Sequence, residues 1–526
     1  MPTHPTDRRQ LLRLAAATAT TLWLPRSAWS LARLKQDPFA LGVASGAPTH
    51  DGVVLWTRLA FDQAQVAEFT LRWEVAHDEG FTRIARSGQV QAVPALGHAV
   101  HAEVAGLEPD RWYFYRFMLG EAVSPVGRTR TFPRPDASPA RLRLGYASCQ
   151  RWEHGYYAGW RHMRAEQLDA VMFLGDYIYE YPGATNAVRA VTGGWVRTLD
   201  EYRARYALHK GDADLQAMHA ACPWLPTWDD HEVQNDYAGL HEGTGVPLLG
   251  TVDDFAARRA AAYQAWYENM PVRAAMLTQG LAGLARGAEL RIYQQVPYGR
   301  LASLHLLDGR QYRDRQPCLK DGQPGGRLVD PAKCREWTDP QRSYLGVAQD
   351  QWLDGALARS GGRWNVIGQQ TLFGPRDAQP GPGQRLWNDG WDGYAGNRKR
   401  VTDALQRHAV SNPVLLGGDV HESWVGHVKA DYADATSATV GVEFCGTSIS
   451  SRASASAVEK TPERLAENPH FVFGDAQYRG YGVAEFTPGR LTTTLRAVQD
   501  ATKADSDAFT LARFEVAAGR PRIERQ

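Results

Sequence analysis

The chain has 526 residues, of which 43% are hydrophobic and 22% are charged, and these ordinary globular values exclude a disordered or collagen-like protein. Lysine and arginine number 59 against 58 aspartates and glutamates, so the formal net charge is only +1. This balance attracts neither nucleic acid nor an anionic membrane, and we expect no nucleic-acid-binding surface. The length favours one small domain and one large domain.

The first 30 residues are typical of a twin-arginine signal peptide. The paired Arg8 and Arg9 precede a short apolar stretch that Arg13 interrupts, and small residues follow at Ala28 and Ser30. The stretch is too short to span a bilayer and no other segment has a long uncharged run, so we expect no stable membrane anchor. The twin-arginine export machinery would then deliver a folded protein to the periplasm or the medium. The alternative is an amphipathic helix of the mature protein.

Residues 37–133 have the pattern of a small all-β domain. Short runs such as "GVVLWTRL", "FTLRWEVA" and "WYFYRFML" alternate apolar and polar side chains, and Gly, Pro and Asp turns separate them. The segment "GLEPDRWYFYRF" is similar to the turn and strand of fibronectin type III-like domains. We therefore predict a β-sandwich over residues 37–133, followed by a polar linker at residues 134–141.

From residue 141 to residue 526 the pattern changes to α/β. The segments "RLRLGYASC", "YYAGWRHMRAEQL" and "DAVMFLGDYIYEY" predict a strand, a helix and a second strand, and "NVIGQQTLF" and "NPVLLGGDVHESW" predict further strands. Ligands of such sheets gather beyond the carboxyl ends of the strands. Cys149 and Asp176 both follow predicted strands, so we expect them at one site.

Three segments contain candidate metal ligands. Asp176 follows a strand and a glycine, with Tyr179 three positions later, and Asp419 and His421 share one face if the chain is extended. The third segment, "WDDHEVQND", has more charge than can be buried without a cation or another partner. Taken alone, each segment has an alternative, such as a loop-capping Asp or a solvated loop. Together, at the ends of predicted strands, they predict a metal cluster.

The cysteines and the absence of other catalytic motifs narrow the range of functions that the sequence allows. The sequence has no phosphate-cradling loop ending in Gly-Lys-Ser/Thr, no Gly-x-Ser-x-Gly elbow and no His-Glu-x-x-His helix. Five cysteines are too few for a disulfide framework in a chain of this length. Cys318 and Cys334 share one loop-like stretch and either form a local bridge or remain free. Cys149 is the candidate for chemistry.

The order of these motifs resembles PhoD-like alkaline phosphatases, of the calcineurin-like metallophosphoesterase superfamily. The motifs that carry the resemblance are "YASCQ", "LGDYIYEY", "WDDHEVQNDYAG", "LLDGRQYRD" and "GGDVHESW", preceded by "FALGVASGAPTHDGVVLWTRLA". The resemblance implies an α/β fold, a metallophosphatase β-sandwich flanked by helices, preceded by the fibronectin-like domain. It also implies ferric iron and calcium as cofactors and a phosphate ester as substrate.

The resemblance assigns the iron side of the site to four residues. Cys149 and Tyr179 would bind the ferric ion, and thiolate and phenolate are anionic donors that suit a trivalent cation. Asp176 would bridge iron and calcium, because calcium prefers oxygen ligands. In the segment "GGDVH", His421 would face the iron and Asp419 would face calcium.

The segment "WDDHEVQND" would complete the site. On the calcium side we expect Asp230 and Asn235, with Asp229 and Asp236 as possible substitutes, because the sequence alone does not orient this loop. The resemblance makes His231 the residue that protonates or stabilises the leaving oxygen. The cations would clamp the phosphate oxygens and activate water without a covalent enzyme intermediate.

Two other functions stay open at this point. The same metal site also serves phosphodiesterases, including those that act on phospholipids or teichoic-type polymers. A catalytically inactive extracellular binding protein is the alternative from a different class. Residues 184–195 and 374–396 either shape or cover the active site or form ordered surface loops.

Overall fold

The structure is a computed structural model that describes residues 37–61, 66–245, 248, 251–284, 287–320, 323–434 and 436–526. The signal peptide predicted for residues 1–30 lies outside the described residues. Within the described ranges, no helix combines the length and the apolar character needed to cross a membrane.

The N-terminal part is an all-β domain built from the strands that the alternation predicts. One sheet contains β1 (Val43–Gly46), β2 (Val53–Arg58) and β5 (Ala99–Val104). The other contains β3 (Phe69–Ala76), β4 (Ile84–Ala92), β6 (Trp112–Leu119), β7 (Ala122–Val123) and β8 (Gly127–Arg130). Because successive side chains of a strand point to opposite faces, Leu71 and Val75 of β3 lie on the core face and are buried, with Trp73 between them packed against the same core.

The rest of the described chain alternates strands and helices. The strands are β9 (Leu142–Ala147), β10 (Ala170–Leu174), β11 (Trp224–Thr227), β12 (Gln294–Tyr298), β13 (Ala302–Leu306), β14 (Leu328–Val329), β15 (Trp364–Gly368), β16 (Leu386–Trp387), β17 (Pro413–Gly417), β18 (Ser423–Lys429), β19 (Thr439–Cys445), β20 (Phe471–Asp475), β21 (Arg479–Phe486), β22 (Arg490–Val498), β23 (Ala508–Ala517) and β24 (Ile523–Arg525). The helices are α1 (Ala158–Arg164), α2 (Leu199–Lys210), α3 (Ala213–His219), α4 (Val252–Asn269), α5 (Gly280–Leu284), α6 (Val347–Ala358), α7 (Ala395–Arg407) and α8 (Ala455–Glu467).

Two large sheets organise these strands. The first has the order β24-β23-β22-β21-β9-β10-β11-β1-β2-β5, and the second has the order β12-β13-β15-β17-β19-β18-β20. The N-terminal strands thus continue the first sheet, through the parallel pairing of β1 with β11 at Gly46 and Trp224. A Cβ atom at Gly46 would lie 2.3 Å from the carbonyl oxygen of Pro271, so only glycine permits this close approach. The sequence patterns predicted the small domain but not this continuation.

The two large sheets pack face to face around a common apolar core. This core includes Tyr146 of β9, Met172 of β10, Leu304 of β13, Val366 of β15 and Leu416 of β17. The next residues along the strands point the other way and are covered by helices, with α1 to α4 against the first sheet and α6 and α7 against the second. The expected α/β sandwich flanked by helices is confirmed.

The predicted strand–helix–strand unit positions the first candidate ligands. β9 and β10 pair in parallel, and Trp160 of the intervening α1 packs 5.9 Å from Phe173, measured between ring centroids. The carboxyl ends of both strands therefore lie side by side, with Cys149 and Asp176 just beyond them.

The structure decides between the two alternatives for the cysteines. Cys318 and Cys334 form a disulfide, and Cys149, Cys222 and Cys445 are free and buried.

Candidate metal centre

The candidate ligands meet at the end of the sandwich where strands of both sheets have their carboxyl ends. Cys149 follows β9, Asp176 follows β10 and residues 229–231 follow β11, all in the first sheet, whereas Asp419 and His421 follow β17 of the second sheet. Each is reached just after a strand's carboxyl end, the position at which α/β sheets bind ligands. The sandwich thus brings together residues that are far apart in the sequence, as in the contact between Tyr179 and Ser451, which are 272 positions apart.

Several candidate ligands occupy strained turns. Cys149, Asp176, Asp419 and His421 have φ angles of 58°, 60°, 65° and 56°, in the left-handed region that disfavours residues with a side chain. Such a conformation costs about 1–3 kcal/mol per residue and persists only where the surroundings enforce it. The backbone N–H of Cys149 donates to the carbonyl of Gly175 at 3.0 Å, which ties the first two turns together. Strain concentrated on adjoining turns indicates a functional site.

Cys149, Asp176, Tyr179 and His421 form what we name the four-donor group. One ligand atom each of Cys149, Asp176 and His421 lies within 4.8 Å of the other two. The Tyr179 hydroxyl donates to Asp176 Oδ2 at 2.9 Å and lies 3.2 Å from His421 Nε2. Asp176 Oδ1 is buried and has no hydrogen-bond partner among the described residues. A thiol, a phenol, an imidazole and a carboxylate thus surround one point.

Burial raises the pKa values of three of these donors and so favours their protonated forms in the absence of a cation. Burial, and then the carboxylates of Asp176 and Asp419, raise the pKa of the Cys149 thiol well above its ordinary value. Burial, followed by Asp176 and Cys149, has the same effect on the pKa of Tyr179. Burial also raises the pKa of Asp176. A bound cation would reverse these shifts, because a metal ligand must be deprotonated.

His231 connects the four-donor group to a buried carboxylate. Its ring lies with Asp176 and Asp230 in a second set of ligand atoms within 4.8 Å of one another, and its Nδ1 lies 2.7 Å from Glu180 Oε2. Glu180 is fully buried. Burial lowers the pKa of His231, but the carboxylates of Glu180, Asp176 and Asp230 outweigh it and hold that pKa well above the ordinary value. The contact with Glu180 therefore orients the imidazole and favours its protonated form.

Asp230, Asp236 and Asp389 form a third set, which we name the acidic group, with carboxylate oxygens within 4.8 Å of one another. The buried guanidinium of Arg310 compensates part of their charge. It donates through Nε to Asp229 Oδ1 at 2.5 Å and through Nη1 to Asp389 Oδ2 at 2.8 Å, and its Nη2 lies 3.4 Å from Asp230 Oδ2. Burial raises the pKa of Asp229 to about 8. Burial also acts to raise the pKa of Asp230, but Arg310, His231 and the backbone N–H of Asp236 together outweigh it and lower that pKa.

The structure places the two neighbouring calcium-side candidates differently. Asn235 is half-buried; its side-chain Nδ2 donates to Thr244 Oγ1 at 2.5 Å and its backbone N–H donates to Glu180 Oε1 at 2.8 Å. Asp236, predicted only as a substitute, belongs to the acidic group together with Asp389. The side chains of Asn235 and Asp236 both contact Thr244, whose Oγ1 donates to Asp236 Oδ2 at 3.2 Å.

Asp419 lies on the side of the four-donor group that faces the acidic group. Its Oδ2 accepts a hydrogen bond from Thr371 Oγ1 at 2.7 Å. Burial, and then the carboxylate of Asp230, raise its pKa to about 6. The carboxylates of Asp419 and Asp230 thus repel each other across the interval between the four-donor group and the acidic group. A cation in this interval would compensate the charge of both carboxylates.

Comparison with known proteins identifies the family. The model of the PhoD-like phosphatase family matches residues 144–495, and the model of the PhoD-like phosphatase N-terminal domain matches residues 26–133. Alkaline phosphatase D of Bacillus subtilis (strain 168) is 42% identical over 489 residues, which cover 91% of this chain and 80% of that protein. The solved structure of PhoD aligns with a TM-score of 0.85 and 40% identity over 93% of this chain and 92% of that one. The chain belongs to the PhoD-like phosphatase family. It is a phosphoric ester hydrolase.

Sequence reasoning missed three residues that organise this PhoD-like phosphatase site. Glu232 accepts hydrogen bonds from the backbone N–H groups of Asp176 at 3.1 Å and Asp229 at 2.9 Å, so it joins the turns after β10 and β11. Arg310 lies in the quoted motif "LLDGRQYRD", which was the available signal, but no role was assigned to it. Asp389 lies within residues 374–396, and nothing in its local sequence indicates that it reaches the site.

The donor chemistry of the PhoD-like phosphatase site fits a cluster of cations. Carboxylate oxygens of the acidic group suit calcium, and the thiol and phenol suit a more strongly charged ion. Besides Asp176 Oδ1, the buried Asp229 Oδ2 also has no hydrogen-bond partner among the described residues. Buried carboxylate oxygens without a partner are costly, and a bound cation supplies the missing compensation.

We expect cations to stabilise the fold more strongly as the pH rises from 3.8, the ordinary pKa of these carboxyl groups, to about 8. Burial and neighbouring charges raise the pKa values of Asp419, Asp236 and Asp229 from 3.8 to about 6, 7 and 8, so the metal-free fold retains protons that the unfolded chain has already released. Each group therefore destabilises the metal-free fold as the pH rises through this window, and a bound cation removes the effect. Thermal unfolding with cations and with a chelator measures the gap. A gap that stays constant with pH would contradict the expectation.

Proposed function

We propose that this hydrolase is an exported, metal-dependent alkaline phosphatase that hydrolyses phosphate monoesters with a ferric iron and calcium cluster. The observation that carries the proposal is the four-donor group, which surrounds a carboxylate oxygen without a hydrogen-bond partner among the described residues. A thiolate and a phenolate together suit a trivalent cation better than calcium or magnesium. The name of the Bacillus subtilis relative, alkaline phosphatase D, supports the same activity.

Each cation has a matching set of residues. The four-donor group would hold iron, and its carboxylate, Asp176, would also reach calcium. Asp230 and Asp419 would supply further oxygen ligands to calcium, with either Asn235 or Asp236 completing the set. When bound there, the cations would neutralise charge on the phosphate oxygens and, as Lewis acids, make a water molecule nucleophilic.

His231 and Glu180 would handle the proton of the leaving group. Glu180 Oε2 accepts from Nδ1 of His231 at 2.7 Å, which fixes the ring and favours the imidazolium form. The proton on Nε2 can then pass to the leaving oxygen as its bond to phosphorus breaks. Glu180 acts through His231 and is a positioning residue, whereas His231 would contact the reacting ester.

The first test replaces Asp176. We expect Asp176→Asn to lose bound metal and hydrolytic activity together, because an amide is a weaker ligand and cannot compensate cationic charge. The matched control is Asp169→Asn, which removes another buried carboxylate, the partner of Arg130, away from the site. Elemental analysis of the purified variants gives metal per molecule, and hydrolysis of a model monoester and a model diester at alkaline pH gives activity. Full metal and near-full activity in Asp176→Asn would refute the assignment, and a wild-type preference for the diester would favour a phosphodiesterase.

The second test replaces His231. We expect His231→Ala to retain metal but to lose rate on the order of a hundredfold with an alkyl phosphate, because the leaving alkoxide then departs without a proton. An aryl phosphate with an acidic leaving phenol needs less protonation and should lose less rate. Glu180→Gln should show the same substrate dependence to a smaller degree. Equal losses with both esters, accompanied by loss of metal, would identify His231 as a ligand instead of an acid.

Export is the third part of the proposal, and it is supported by the pattern of residues 1–30. The paired arginines are the feature that the twin-arginine machinery reads. We expect Arg8→Lys with Arg9→Lys to retain the protein inside the cell, whereas Arg13→Lys, outside the pair, should be exported normally. Activity measured in separated cell and extracellular fractions checks this. Normal export of the double variant would rule out the twin-arginine route.

A further inference from the structure

An aromatic rim borders His231. The His231 ring contacts Tyr179 at 4.1 Å and Tyr181 at 5.2 Å, measured between ring centroids. Tyr179 is fully buried in the four-donor group, whereas Tyr181 is half-buried. Tyr181 in turn contacts the half-buried Trp195 at 5.3 Å, with the two rings inclined by 67°. A chain of ring contacts therefore leads from the four-donor group, past His231, to the two half-buried rings of Tyr181 and Trp195.

Hydrogen bonds to the backbone hold this rim in place. The N–H of Val196 donates to the carbonyl of Glu180 at 2.9 Å, which ties the segment of Trp195 to that of Tyr181. The buried Arg258 donates through Nη2 to the carbonyl of Val196 at 2.9 Å. Arg205 donates through Nη1 to the carbonyl of Tyr181, also at 2.9 Å. The two rings thus stand on a backbone that is rigid before any ligand arrives, which lowers the entropy lost on binding.

A cationic side chain supports Tyr181. The guanidinium carbon of Arg151 lies 4.6 Å from the centroid of the Tyr181 ring, within the range of a cation–π contact. The Arg151 side chain is 19% exposed and lies 3.5 Å from Glu153 Oε1. Trp195 is the outer ring of the rim, because its described ring contact is with Tyr181 alone, whereas Tyr181 also contacts His231 and Arg151.

We infer that Tyr181 and Trp195 form a platform for the organic part of the phosphate ester, and that the platform selects flat aromatic or heterocyclic groups. The inference rests on the proposed function. If His231 gives its proton to the leaving oxygen, the group attached to that oxygen lies within a few ångströms of His231 and so against this rim. A flat group gains more from stacking on an aromatic side chain than an alkyl chain of equal size does. We name these two residues the leaving-group platform.

A matched pair of substrates tests the platform. Adenosine 5′-phosphate and ribose 5-phosphate have the same primary alkoxide as the leaving group and differ by the base alone. We expect the wild-type protein to favour the adenosine ester in kcat/KM, and Trp195→Ala to reduce that preference by ~tenfold, mainly through KM. The control is Trp352→Ala, which removes another half-buried indole, one that contacts Tyr293 at 4.9 Å with the rings inclined by 55° and has no described ring contact with His231 or the rim. It should leave the preference at the wild-type value.

Two further readouts keep the outcomes distinct. Metal content of the Trp195→Ala protein should equal that of the wild type; a parallel loss of metal and of activity towards both esters would show a structural role and overturn the inference. A wild-type preference that survives Trp195→Ala would overturn it as well. If the metal-loaded wild type hydrolyses neither ester, the proposed function fails, and the Kd values of the two non-hydrolysable phosphonate analogues then decide the platform by themselves.

Discussion

Negative charge buried at the ends of neighbouring strands is the constraint on which this structure depends. Asp176, Asp229, Asp230 and Glu232 are all almost inaccessible to solvent. An ionised carboxylate is stable in such surroundings only with hydrogen-bond donors, a cationic side chain or a metal ion. Hydrogen-bond donors and arginines compensate the carboxylates on one side of the site. On the other side, the four-donor group offers ligands for a metal ion.

The site is defined by the difference between carboxylates that are already compensated and those that are not. Glu232 is satisfied by backbone N–H groups, including that of Tyr177 at 2.7 Å, and needs no further cation. Asp389 is satisfied by Arg310 and Arg313. Among the described residues no arginine forms an ion pair with Asp176 of the four-donor group, and burial there raises the pKa values of the Cys149 thiol and the Tyr179 phenol well above their ordinary values. On the proposed function, the arginines would confine bound cations to the interval between Cys149 and Asp230.

Local sequence patterns predicted the strands and most of the candidate ligands for a physical reason. A buried strand that ends in a polar residue is visible in the sequence, and Cys149, Asp176, Asp419 and His421 all follow such strands. The resemblance of ordered motifs then added roles, which composition and spacing do not supply. The order of side chains within residues 229–236 was beyond prediction, because it depends on turns such as the one at Asp236.

Contacts between distant segments were not predictable from one sequence. Asp389 reaches Arg310 across 79 positions, and Trp195 reaches Tyr181 across a loop with no periodic pattern. The pairing of β1 with β11 depends on the space left by Gly46 and on Pro271, more than two hundred positions further along the chain. In each case one partner of the contact belongs to a segment whose own sequence contains no pattern that would predict the contact.

The four-donor group as an iron site is the central claim, and anomalous X-ray diffraction tests it most directly. Data collected from crystals of the purified protein on both sides of the iron absorption edge would locate iron without assumptions about ligands. The account predicts an iron peak bounded by Cys149 Sγ, Asp176, the Tyr179 hydroxyl and His421. A peak at that point from another metal, or iron bound elsewhere, would contradict it.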